Sequence, residues 1–121
     1  MTPRFDPSLK PNLVGMELKK SVRYADHLQF RLRMRRIPRN LPRDVFKRAK
    51  EIFYDNITGN FIALAKARYA GKTREMMVAF SEKDDEIILV TVHPLKPHQK
   101  TNRIAAGRWV PHEREKKKAP R

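Results

Sequence analysis

Three apolar runs packed between residues 61 and 92 constrain this chain more than any other feature. They are FIALAKARY at 61–69, REMMVAF at 74–80 and EIILVTV at 86–92. Their connectors, Ala70-Gly71-Lys72 and the stretch from Ser81 to Asp85, are short enough for hairpins. The pattern predicts an antiparallel meander. The last run is apolar almost throughout, which suits a central strand covered on both faces, and Pro94 and Pro97 end it.

The segment ahead of the meander reads as helical. A first helix is expected over 22–36, stopping before Pro38, although the alternation of Leu28, Phe30, Leu32 and Met34 also fits a strand. A second follows Pro42, with Val45, Phe46, Ala49, Ile52 and Phe53 on one face. The residues NITGN at 56–60 read as a turn, and a short helix over 99–106 leads into Gly107-Arg108-Trp109. The expected fold class is α+β: two N-terminal helices packed on a three- to four-stranded antiparallel meander sheet, with a short C-terminal helix. Residues 22–110 form the single domain. Residues 1–21, punctuated by Pro3, Pro7 and Pro11, form an irregular arm that could hold one edge strand, and 111–121 form a basic flexible tail.

Charge decides which partners such a domain can have. The net charge is +15 over 121 residues. Between Arg23 and Lys50 ten cations face two acids, Asp26 and Asp44, so the excess is a patch. That points to a polyanion, with nucleic acid first and an anionic membrane or an acidic protein next. Cysteine is absent, which removes disulfides, thiolate zinc sites and cysteine nucleophiles. No apolar run reaches the roughly 18 residues of a membrane span, and the first residues lack a signal-peptide core. The expectation is a cytoplasmic protein with no membrane partner. Oligomeric state is not legible.

His27, Arg31 and Arg35 recur every four residues. At about 100° per residue they fall near 0°, 40° and 80° around the first helix. Phe30, Met34 and Ile37 flank them on one side, Leu28 and Leu32 on the other, and Gln29, Arg33, Arg36 and Asp26 take the far arc. Cations bracketed by core residues should point toward the protein body, where they need an anion or a cleft. Two readings stay open. The arginine stems could pack at the core rim and send their heads to water. Alternatively, the forks bind phosphate while His27 serves as general acid or base.

A second constellation runs from Thr91 to Trp109. Thr91 and His93 lie two apart on a strand and share a face at its end. Lys96, Lys100, Arg103 and Arg108 follow, and Lys100, Arg103 and Arg108 are the candidate RNA contacts. This group could form the opposite wall of a cleft with the first helix, or only a solvated basic surface. His93, His98 and His112 have no recognised ligand spacing, so neither a metal site nor any cofactor is expected. Glu75 stands as a lone strand-borne base, and Tyr69, Phe80 and Trp109 are the candidate stacking platforms.

The run HLQFRLRMRRIP from His27 to Pro38, with Arg31, Arg35 and Ile37 at four, eight and ten residues from the histidine, resembles the opening of a family of small basic domains. That family is placed beside the BrnT and RelE/ParE toxins in the barnase-like/RelE-like ribonuclease fold. The stretch from Ile88 to Pro94 is similar to its closing strand, so the resemblance covers about 22–109. It implies a toxin-type, metal-independent endoribonuclease that uses the ribose 2′-hydroxyl as nucleophile. His27 would be the acid/base, Arg31 and Arg35 the phosphate ligands, and Thr91 a strand-borne polar residue, with His93 or a lysine available to protonate the leaving group. An acidic antitoxin would then be a partner. The competing expectations are a basic nucleic-acid-binding module without catalysis and an interaction protein whose basic face binds an acidic antitoxin.

Overall fold

The computed structural model describes residues 21–112. Strand β1 (Ser21–Tyr24) leads into helices α1 (Asp26–Met34) and α2 (Leu41–Arg48). Strands β2 (Glu51–Asp55), β3 (Phe61–Tyr69), β4 (Lys72–Lys83) and β5 (Glu86–Pro94) follow, then helix α3 (Gln99–Ala105) and strand β6 (Trp109–Pro111). The six strands make one sheet in the order β1-β5-β4-β3-β2-β6. Every pairing is antiparallel except β1 with β5, which is parallel.

This corrects the expected architecture. The predicted meander is present as β3–β4–β5, with hairpins at Ala70-Gly71 and Asp84-Asp85. The sheet is nevertheless mixed and six-stranded, and α1 and α2 are inserted between its first and second strands. Three strands were hidden for physical reasons. The four residues of β1 fall inside a window whose apolar spacing also fits a helix. In β2, Ile52 and Phe53 continue the spacing of Val45 and Ala49, so they read as one more turn of α2. The chain instead becomes extended at Ala49, with ψ at 131°. Strand β6 is three residues long, too short to carry a period of two.

The sheet buries both faces. One carries the main core, where Leu28 and Leu32 of α1 and Leu41 and Val45 of α2 pack on Ile52, Ala63, Met76, Val78, Ile87, Leu89 and Val92. Helix α2 lies across β3, β4 and β5, and α1 lies on β5. The other face has a smaller core of Phe53, Ile62, Leu64, Met77, Ala79 and Trp109.

Both hairpins have a positive φ at their first turn residue, Ala70 at 53° and Asp84 at 39°. Paired with Gly71 at 81°, Ala70 gives the backbone twist that matches two antiparallel strands. Helix α1 ends in a Schellman-type close, with the Ile37 N–H donating to the Leu32 carbonyl at 2.9 Å and Arg36 left-handed at φ 54°. That turn stops the helix two residues short of the predicted end.

Candidate nucleic-acid interface

Two buried leucines fix the orientation of α1. Leu28 and Leu32 are 1% and 4% exposed, whereas Phe30 and Met34 stand 54% and 65% exposed. The buried arc therefore centres between Leu28 and Leu32, near 120° on the same wheel. His27, Arg31 and the C-capping Arg35 are all exposed. This overturns the expectation that the stripe faces the protein body. A nine-residue helix at the margin of a sheet needs only a narrow apolar strip, so Phe30 and Met34 are left outside with the cations.

The outcome is one continuous outer face of α1: Phe30, Met34, His27, Arg31 and Arg35. None of the three basic side chains makes a hydrogen bond or ion pair with another described residue. Arg33 and Arg36 are exposed beside them, and Arg39 and Lys47 extend the surface along the linker and α2.

Tyr24 locks the two helices to the sheet edge. Its hydroxyl donates to the Arg39 carbonyl at 2.6 Å and accepts from the Arg43 N–H at 3.3 Å. Gln29 Nε2 donates to the Tyr24 carbonyl at 3.2 Å, and the Arg43 guanidinium lies 5.3 Å from the centre of the Tyr24 ring. At the far end of α2, Arg48 donates to the Lys66 carbonyl at 2.8 Å. Tyr24→Phe removes two hydrogen bonds while keeping the ring. It should lower stability by about 1–2 kcal/mol, measured by urea denaturation.

The second predicted wall is elsewhere. Thr91 pairs with Ala79 and His93 with Met77, so both share the face of the smaller core. Val92, between them, pairs with Val78 in the main core under the helices. The sheet thus separates Thr91 and His93 from the face on which α1 packs. His93 Nδ1 lies 3.2 Å from the Pro94 carbonyl.

Of the predicted RNA contacts after β5, all three have intramolecular partners. Lys100 Nζ donates to both carboxylate oxygens of Glu51, at 2.7 and 3.0 Å, and lies 4.0 Å from Glu75, the candidate lone base. Arg103 covers the Trp109 ring, its guanidinium carbon 5.1 Å from the ring centre. Arg108 grips Asp55 through two parallel bonds of 3.0 Å, Nε to Oδ1 and Nη2 to Oδ2. Of the candidate stacking rings, Phe80 and Trp109 are buried and Tyr69 is half-buried. Among the described residues, the exposed aromatic side chains are Phe30 and Tyr54, at 54% and 37%.

Asp55 is the residue that sequence reasoning missed. It is 2% exposed and is the one buried charged side chain among the described residues. Burial would push its carboxyl pKa up. The Arg108 hydrogen bonds and the N–H groups of Ile57 and Thr58 outweigh that and hold it at about 2. The same pairing raises the Arg108 pKa. The pair fastens the NITGN turn to the turn after α3, helped by Asn56 Nδ2 donating to the Gly107 carbonyl at 3.0 Å. An aspartate immediately before a turn was the available signal.

Among the described residues, no group of three His, Asp or Glu side chains could hold a metal ion, and no helix is long and apolar enough to cross a membrane. Compared with family models, curated proteins and solved structures, the chain matches none. The resemblance to the BrnT and RelE/ParE toxins rests on the quoted sequence motifs alone.

Proposed function

We propose that this is a cytoplasmic RNA-binding protein that holds the phosphate backbone on the outer face of α1 and the linker to α2. The observation that carries this is the row of cations with no partner among the described residues: Arg31, Arg33, Arg35 and Arg36 exposed on one short segment, with Arg39 and Lys47 beyond. Such a row concentrates positive potential and releases counterions when a polyanion docks. Phe30 adds an exposed ring one helical turn from Met34 and next to Arg31, where an unpaired base can stack. RNA, in preference to DNA, is what the sequence-motif resemblance to the BrnT and RelE/ParE toxins implies. Fluorescence anisotropy with a labelled oligoribonucleotide across a salt series tests the reading. Binding should weaken steeply with salt, and salt-independent binding or no binding would overturn it.

A second reading is metal-independent cleavage by a toxin-type enzyme. It is favoured by His27 sharing an exposed helix face with Arg31, which sets a proton-transfer group beside a phosphate ligand. Thr91 and His93 lie on the other side of the sheet, so the leaving-group acid would have to come from the α1–α2 layer. Incubating labelled RNA with the protein in EDTA and analysing the product ends distinguishes the two. Cleavage to cyclic phosphate ends, lost in His27→Ala, supports the enzyme, and intact RNA supports the binding module.

A further inference from the structure

The open edge of the sheet at β1 holds a cleft of about 210 Å³, lined by Val22, Arg23, Tyr24, Gln29, Arg39 and Arg43. Among the described residues, strand β1 has a neighbour on one side only, β5. Its outward carbonyls would be a template for another strand. Side chains cap them instead: Arg43 Nη2 donates to the Val22 carbonyl at 3.2 Å and Gln29 to that of Tyr24. The cleft wall is therefore held in place before any ligand arrives.

Half of the lining residues are arginines and none is an acid. Arg43 commits one nitrogen to Val22, whereas Arg23 alternates to the face of β1 away from Val22 and Tyr24, where its Nε meets Glu86 at 2.7 Å. The side chain of Arg39 makes no hydrogen bond or ion pair with another described residue. Each guanidinium carries five donors, so most of the fork capacity around the cleft is unspent. Arg39 and Arg43 place two like charges at one hollow, and these repel unless an anion sits between them. A carboxylate offers two oxygens and one charge, enough for a single fork. A phosphate group offers more terminal oxygens and, as a monoester, close to two charges. The volume excludes most drug-sized ligands, which fill about 300 Å³ or more, yet exceeds several waters at about 30 Å³ each.

We propose that this cleft binds a phosphate group, with Arg39 and Arg43 as its ligands. Two sources share that chemistry: the terminal phosphate of a strand lying on the α1–α2 face, and a free phosphate-bearing small molecule. The first source rests on the nucleic-acid reading, whereas phosphate binding itself does not.

The test uses the full chain and its Arg39→Gln variant, whose fold should persist because no described contact is lost. Amide NMR titration with inorganic phosphate, against chloride at equal ionic strength, should give saturable shifts at Arg39 and Arg43. In Arg39→Gln the phosphate affinity should fall at least tenfold. Anisotropy then compares 5′-phosphorylated and 5′-hydroxyl forms of one oligoribonucleotide. Tighter binding of the phosphorylated form by the wild type, but not by the variant, identifies the strand end as the source. Saturable phosphate binding with no preference between the oligomers identifies a free phosphate compound. Absence of RNA binding with phosphate binding retained would defeat the nucleic-acid reading and leave the cleft standing. Shifts that do not saturate, or that Arg39→Gln leaves unchanged, would overturn the proposal.

Discussion

Asp55→Ala should cost about 3 kcal/mol or more and lower the midpoint of thermal unfolding by about 10 °C or more. The substitution strips a part-buried guanidinium of both its charge-assisted bonds and leaves the Ile57 and Thr58 N–H groups without their acceptor. It also releases the turn at 56–60 from the segment at 107–108, which together anchor β6 to β2. The carboxyl falls from its ordinary value of 3.8 to about 2 on folding. Its contribution is therefore complete above about pH 5 and is lost as pH falls through 2, a change of about 2 kcal/mol. Denaturation of wild type and Asp55→Asn at pH 6 and pH 2 should show the gap between them narrowing by that amount. A constant gap, or an alanine variant within 1 kcal/mol of wild type, would deny Asp55 this role.

The second large effect is on binding. Reversing charge at both exposed positions, Arg31→Glu with Arg35→Glu, changes the net charge from +15 by four units, all on the proposed contact face. RNA affinity near 0.1 M salt should fall at least ~100-fold, and the salt slope should shrink by about 2. The thermal midpoint should stay within about 2 °C, because neither side chain has a described partner. The matched control is Lys72→Glu with Lys83→Glu, the same change of charge at the two ends of β4. It should cost less than ~10-fold. Equal losses in both variants would mean that RNA responds to total charge and not to this helix face.

Local signals in the chain specified local structure well and non-local pairing poorly. The meander from Phe61 to Pro94 was legible because each strand is long, apolar and joined by a turn with its own chemistry. The short helix after His98 was legible as well. What could not be read was how α1 would roll. His27, Arg31 and Arg35 sit between two sets of apolar residues, and a wheel cannot say which set meets the sheet. Leu28 and Leu32 won, since they reach β5, and Phe30 and Met34 were left in water. The strand end at Thr91 and His93 was assigned its shared face by periodicity. Only the register with Met77 and Ala79 reveals that this face looks away from α1. The role of Asp55 was hidden for a related reason: its place before a turn is legible, but its partner lies 53 residues on in the chain. The basic patch itself needed no fold to be seen, because ten cations in a short segment leave little room to hide them.

The contact face can be mapped directly by following backbone amide shifts of the full protein as a single-stranded oligoribonucleotide is added. Binding through the α1–α2 layer predicts that the shifts concentrate from His27 to Arg36 and from Arg39 to Lys47, with Thr91 and His93 unmoved. Shifts gathered instead around Thr91, His93 and the smaller core, with α1 silent, would contradict it.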